Sequence, residues 1–299
     1  MRRVKNRFKV GLLLLAGSMF FASCKDGNSN THNTSPVETT AGAVLEQTFQ
    51  SNILGRSVAT NHYLPPSFDA QEGKYPLLIL LHGHGGDHMD WFQEEEGNAA
   101  ALLDSLIAIN NIPPSIAVSA NAGNSWYVNS QENMEDFFLQ EWLPAIKQQY
   151  GKVWDGTLLL AGDSAGGYGG LRFSLLQPDL FEAVILLSPA AYYPVPPALS
   201  SSRKIPVFAK EGVFNDSIWQ AYAYPNLLGQ LSENAALPKY YLSVGDDDAY
   251  NIVPVVAVLQ QEFLNRGVEN ELRITDGGHD WECWKHNVSQ ALIDIYSEK

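Results

Sequence analysis

Cysteine is scarce in this chain. Two among 299 residues are too few for a disulfide framework or a four-thiolate zinc site. Basic charge is scarce too: Lys and Arg number 19 against 33 Asp and Glu, a formal charge of −14. Five of those basic residues fall before residue 10 and no basic run follows them, which excludes the electrostatics of a nucleic-acid binder. The N-terminal apolar run, 10–22, is too short for a comfortable membrane span. The chain has no internal repeat, and at 45% hydrophobic residues it is too apolar for disorder. What remains is enough chain for one large domain or two small ones.

The first residues read as an address. Arg2, Arg3, Lys5, Arg7 and Lys9 precede the apolar run, the charge order of a secretory signal. The run ends in Phe21-Ala22-Ser23-Cys24, which resembles a bacterial lipobox with Cys24 as the lipidated first mature residue, although Phe21 stands where Leu is usual. Residues 1–23 are thus expected to be a lipoprotein signal peptide. Their loss removes five basic residues and no acid, which takes the formal charge from −14 to −19. Residues 24–43, rich in Asn, Thr, Ser and Gly, read as a flexible tether. The expected address is the bacterial cell envelope, periplasm or cell surface, with the lipid as the membrane contact. A lipidated Cys24 leaves Cys283 without a partner, so the domain folds without disulfides.

From residue 44 to 299 no linker interrupts the pattern, and one domain is expected. Continuous apolar runs at 77–81, 116–118, 157–161, 183–187, 205–208 and 240–244, with a short one at 272–274, read as strands buried on both faces. Helical patterns at 98–109, 133–149, 165–177, 251–266 and 284–297 alternate with them. The order predicts an α/β fold: a mostly parallel central sheet with helices on both faces. Residues 57–63, closing on Pro65-Pro66, predict an antiparallel edge hairpin with 44–50. The Pro-, Ser- and Tyr-rich stretch 189–240 predicts an excursion above the strand ends, where open α/β sheets bind ligands.

Gly162-Asp163-Ser164-Ala165-Gly166 is a G-x-S-x-G sequence between a strand and a helix, the setting of a nucleophile elbow. A glycine-rich turn with a capping serine would share the letters but needs no such setting. A serine hydroxyl requires a base. Of seven histidines, only His279 and His286 follow Ser164, the chain order of α/β-hydrolases, and His286 falls within a helix. The acid should end a strand between the two. Asp246, Asp247 and Asp248 are so placed, and spacing alone does not choose among them. A solvated acidic turn explains two of the three, whereas a calcium loop would need alternating ligands. Leu81-His82-Gly83-His84-Gly85-Gly86 follows the first core strand and is suited to donate backbone N–H groups to an oxyanion together with Ala165. The N–H of His84 is the candidate, with Gly85 second. A rival reading takes His82, His84, Asp87 and His88 as zinc ligands, but the spacing carries one residue too many and leaves the elbow unexplained. No cofactor or metal is expected.

Together these residues resemble the putative-esterase family of α/β-hydrolases, which holds tributyrin esterases, S-formylglutathione hydrolases, feruloyl esterases and acetyl esterases. The resemblance runs over nearly all of 44–299. It includes Leu54-Gly55-Arg56, Tyr63-Leu64-Pro65-Pro66, Tyr75-Pro76, the 80–86 loop, Asn124-Ser125-Trp126-Tyr127-Val128-Asn129, Glu141-Trp142-Leu143-Pro144, Gly278-His279-Asp280-Trp281 and Trp284. It implies Ser164 as nucleophile, His279 as base and Asp248, last of a G-x-x-D turn, as the acid. It also implies His84 and Ala165 as oxyanion donors. Ala165 stands where the family usually has Met, which makes the pocket wall smaller. The implied activity is serine carboxylesterase, with short-chain acyl, acetyl or feruloyl esters on carbohydrate as substrates for an envelope enzyme. Trp126, Tyr127 and Trp281 are candidates to stack on a sugar or phenolic ring, while Trp281 and Trp284 could equally pack the His279 loop. An acyltransferase of the same fold and a non-catalytic glycan-binding lipoprotein are the alternatives.

Overall fold

The computed structural model describes residues 41–232 and 235–298. The signal, Cys24 and nearly all of the tether expected from the sequence lie outside the described residues. Eight strands form one sheet: β1 (Ala43–Ser51), β2 (Arg56–Leu64), β3 (Tyr75–Leu81), β4 (Ile116–Ala120), β5 (Trp154–Asp163), β6 (Ala183–Leu187), β7 (Lys239–Gly245) and β8 (Asn270–Thr275). Their spatial order is β1-β2-β4-β3-β5-β6-β7-β8. β2 pairs antiparallel with both β1 and β4, and every pair from β4 to β8 is parallel. The sequence expectation of an edge hairpin holds for β1, which is the edge. β2 lies inside it, so His62 is a core residue. Its Nδ1 lies 2.8 Å from the Tyr150 hydroxyl, and burial lowers its pKa to about 4.

All seven residues of β3 are buried, because successive side chains enter two different cores. Leu77, Ile79 and Leu81 meet one face with Phe137, Phe138, Trp142, Phe173 and Phe263. Leu78 and Leu80 meet the other with Leu103, Trp284, Val288 and Leu292. The helices supplying these layers are α1 (Ala99–Ala108), α2 over 134–149, α3 (Ala165–Leu176), α6 (Val253–Asn265) and α7 (Trp281–Ser297). Two short helices, α4 (Asp216–Ala221) and α5 (Tyr224–Gln230), belong to the excursion between β6 and β7. α2 is one helical run as expected, but it widens to π-winding across Phe137–Trp142.

One expected strand is absent from the sheet. Residues 205–208 form a single 3₁₀ turn, Pro206–Phe208, leading into a two-residue ribbon, Ala209–Lys210 with Val213–Phe214. Pro206 has no N–H to give a ladder. The apolar residues are buried within the excursion instead: Phe208 packs edge-on to Trp219 at 4.8 Å and to Trp126 at 5.7 Å between ring centroids.

The chain crosses from one side of β3 to the other between β4 and β5. Strand order therefore reverses beside β3, and open α/β sheets bind ligands in the crevice outside the strand ends at such a point. The C-terminal ends of β3 and β5 lie side by side there, Leu81 in register with Gly162.

Candidate active site

β5 delivers Ser164 into a backbone conformation that L-residues avoid, φ 50° and ψ −110°. The turn is over-determined by its surroundings. The Ser164 N–H donates to the Leu187 carbonyl at 2.8 Å, and its own carbonyl accepts from the N–H groups of Tyr168 and Ala190, both at 3.0 Å. The flanking glycines are steric requirements. A Cβ at Gly166 would run into the Leu81 carbonyl, and one at Gly162 into the carbonyl of Gly166.

His279 comes from the loop between β8 and α7. Its Nε2 lies 2.9 Å from Ser164 Oγ and its Nδ1 lies 2.7 Å from Asp248 Oδ2. The carboxylate can only accept, so Nδ1 carries the proton and Nε2 is left to accept from the serine hydroxyl. The Asp248 side chain is fully buried, and its Oδ1 accepts the Tyr250 N–H at 2.8 Å. Tyr250 and Trp284 hold the imidazole from two sides, with ring centroids 4.6 and 5.0 Å away.

Asp246 and Asp247 are exposed and do something else. Their N–H groups donate to the carbonyls of Thr275 and Gly277, at 2.8 and 3.0 Å, and Asp246 Oδ1 accepts the Gly277 N–H at 3.2 Å. These bonds lace the turn that carries Asp248 to the loop that carries His279.

The 82–86 loop closes the site from β3. His82 is buried and serves the backbone: Nδ1–H donates to the Gly83 carbonyl at 2.8 Å, and Nε2 accepts the Ala122 N–H at 3.0 Å. Burial lowers its pKa. The Tyr127 hydroxyl donates to the His82 carbonyl, also at 2.8 Å. Gly85, the second oxyanion candidate, is engaged, since its N–H donates to Asn124 Oδ1 at 2.8 Å. Among the described residues, the N–H groups of His84 and Ala165 donate to no acceptor. The zinc reading fails on geometry. His82 spends both nitrogens on the backbone, and the buried His88 directs Nε2 to Glu46 at 3.4 Å. Among the described residues, the only three such side chains within reach of one ion are the exposed Asp246, Asp247 and Asp276.

Above the serine lies a cavity of about 330 Å³. Trp126 walls it while remaining 2% exposed, and its Nε1–H donates to His84 Nδ1 at 3.3 Å. Burial, with Lys204 nearby, lowers the pKa of His84. Trp281 and Trp284 also line the cavity, and Trp284 both packs His279 and donates through Nε1–H to Ser188 Oγ at 3.1 Å. Tyr127 does not line it. That expectation is corrected: the Trp126 ring meets the cavity, whereas the Tyr127 ring fills the space left by the absent Cβ of Gly169 and packs in the core against Phe138 and Phe173.

Several lining residues were not anticipated from sequence. Tyr192, Ser200, Ser201 and Tyr250 come from the excursion and the turn after β7. Asp90, Glu96 and Asp163 line it too and lie close to one another, a carboxyl wall. The letter Asp163 beside the serine was the one available signal for that wall.

A family model described as "Putative esterase" matches residues 51–295. The chain is 26% identical over 280 residues to an acetyl esterase of Caldicellulosiruptor saccharolyticus, spanning 84% of this chain and 97% of that one. It is 30% identical over 164 residues to an endo-1,4-beta-xylanase/feruloyl esterase of Xylanibacter ruminicola, spanning 51% of this chain and 22% of that one. A solved ferulic acid esterase superposes with a TM-score of 0.71 at 26% identity, covering 85% of this chain and 98% of its own.

Proposed function

The chain belongs to the Putative esterase family of α/β-hydrolases and is a carboxylic ester hydrolase, and on that premise we propose the chemistry of its site and its substrates. Ser164 is the nucleophile. His279 Nε2 takes the hydroxyl proton as Oγ bonds to the ester carbonyl carbon, and the carbonyl oxygen becomes an oxyanion. The N–H groups of His84 and Ala165 receive that charge, a contribution worth about 10²–10³ in rate per donor. As the tetrahedral intermediate collapses, the C–O bond to the alcohol breaks and the alcohol leaves with the proton from His279. Water then attacks the acyl-enzyme, again losing its proton to His279, and the acid departs as Ser164 recovers its hydrogen. Asp248 orients the imidazole and stabilises its cation. The observation that carries this reading is the unbroken hydrogen-bonded line from Asp248 through His279 to Ser164.

The substrates we assign are acetyl or feruloyl esters on plant polysaccharide. Support comes from the acetyl esterase and the xylanase/feruloyl esterase among its relatives and from the envelope address read in residues 1–43. Assayed as the full chain in detergent, the enzyme is expected to hydrolyse p-nitrophenyl acetate or p-nitrophenyl ferulate with kcat/KM at least about tenfold above p-nitrophenyl butyrate, because at a constant leaving group a pocket built for one acyl group discriminates by that order. Acyl transfer to an added sugar in preference to water would replace this reading with an acyltransferase. Glycan retention without turnover of any ester would replace it with a binding protein.

The same proposal includes lipidation at Cys24 as the membrane anchor. Metabolic labelling with radioactive palmitate is expected to mark the wild-type chain and to vanish in Cys24→Ser. Label retained in that variant would remove the anchor.

A further inference from the structure

The cavity above Ser164 is lined by two chemically different groups of residues. One is neutral: Ala190, Tyr192, Ser200, Ser201 and Tyr250, with the Tyr192 hydroxyl donating to the Tyr250 carbonyl at 2.8 Å. The other is Asp90, Glu96 and Asp163, close enough to raise one another's charge cost. Three separate segments supply these carboxyls: the turn at 87–90, the residues before α1, and the position preceding the nucleophile; Trp281, at the start of α7, lines the cavity as well.

Asp163 is 1% exposed, and its Oδ1 has no hydrogen-bond partner. Its carboxyl is reached by the backbone N–H groups of Asp163 itself and of Gly83, and a Cβ at Gly83 would strike its Oδ2. A buried carboxyl oxygen without a partner costs free energy unless a donor arrives. Glu96 repeats the pattern, with Oε2 buried and unpartnered. Asp90 accepts the Asp87 N–H through Oδ1 at 3.0 Å, and its Oδ2 leans against Gly86. Burial raises the pKa of all three carboxyls, and nearby acids add to it: Asp87 for Asp90, Asp90 for Glu96, and Asp90 and Glu96 for Asp163. The stretch 87–96 carries Asp87, Asp90, Glu94, Glu95 and Glu96 and neither Lys nor Arg, which disfavours an anionic ligand. Trp281 lines the same cavity, held edge-on by Trp91 and Trp284 at 5.1 and 5.2 Å.

We propose that the Asp90–Glu96–Asp163 wall and Trp281 form the subsite for the alcohol half of the ester, and that this alcohol is an uncharged sugar. An indole takes the C–H face of a pyranose, and neighbouring carboxyls take its adjacent hydroxyls, each of which donates and accepts. An apolar acyl group has no use for unpartnered carboxyl oxygens and goes to the neutral group. The assignment rests on the serine-esterase reading above, and it adds which lining residues hold which half of the substrate.

The test compares two acetate esters in one preparation of full-length enzyme: methyl 2-O-acetyl-β-xyloside, whose alcohol carries hydroxyls, and p-nitrophenyl acetate, whose alcohol carries none. In Glu96→Gln, and separately in Asp90→Asn, the ratio of kcat/KM for the xyloside to that for p-nitrophenyl acetate is expected to fall about tenfold, the scale of one hydrogen bond to a charged group. A ratio cancels any inactive fraction, so partial misfolding does not mimic the effect. Binding is read independently of turnover: calorimetric titration of xylobiose into Ser164→Ala is expected to weaken about tenfold when Glu96→Gln is added. An unchanged ratio in both variants, with unchanged xylobiose affinity, overturns the subsite. Failure of wild type on every ester overturns the enzyme reading instead, and the xylobiose titration still decides this one.

Discussion

Ser164→Ala is expected to lower kcat on p-nitrophenyl acetate by about 10⁶-fold, the scale set by removing the nucleophile of a serine–histidine–aspartate unit. The expectation follows from geometry. Alanine deletes only Oγ, the atom 2.9 Å from His279 Nε2, while the backbone bonds that pin φ at 50° stay in place. Folding should therefore survive, with an unchanged circular dichroism spectrum and melting temperature as the control. A residual rate above that of water is expected, because backbone donors in the hole outlast the nucleophile. A loss below tenfold, joined to inhibition by a chelator, would move the chemistry to the imidazoles of the 82–88 loop and refute the elbow.

Asp248→Asn is expected to cost about 10⁴-fold in kcat. Asparagine keeps the shape and the buried position, but it presents an amide where His279 Nδ1–H needs an acceptor at 2.7 Å. The imidazole is then driven toward the other tautomer, in which Nε2 carries the hydrogen and cannot accept one from Ser164. The imidazolium formed during turnover also loses its counter-charge in a fully buried place, where that loss is largest. Asp246→Asn and Asp247→Asn should each stay within about twofold of wild type, since both side chains are exposed and neither touches the imidazole. Steady-state kinetics on the three variants decides the matter. A larger loss at Asp246 or Asp247 than at Asp248 would refute the assignment of the acid.

The contrast within this trio shows where sequence reading stops. Three identical letters follow one strand, and nothing in composition tells which carboxyl turns inward. The resemblance to a family selected Asp248, and the fold supplies the reason: its neighbours spend their backbone N–H groups, and Asp246 its carboxylate, on Thr275 and Gly277, while Asp248 faces the imidazole. Ser164 and His279 needed less help. A serine between a strand and a helix, and a histidine after the last strand, are fixed by local pattern and chain order. The parallel strands were legible for the same reason, since burial on both faces leaves an unbroken apolar run. Residues 205–208 imitated that signature because an excursion with its own small aromatic core also demands apolar residues. Tyr127 misled through adjacency: beside Trp126 it looks like half of a stacking surface, but its ring goes where Gly169, forty-two residues on, leaves room for it. The carboxyl wall was hidden because Asp90, Glu96 and Asp163 become neighbours only after folding.

The bonds between the 246–248 turn and Gly277 have a mechanical meaning. They make the acid and the base passengers on one rigid carriage at the margin of the sheet, formed by the ends of β7 and β8. The nucleophile and its oxyanion loop ride on another, the buried centre formed by β3 and β5. The two carriages meet at the reacting centre through the bond between His279 and Ser164. The ladder β5-β6-β7 joins them, so the reach of that bond is set by the register of paired strands and not by the loops alone.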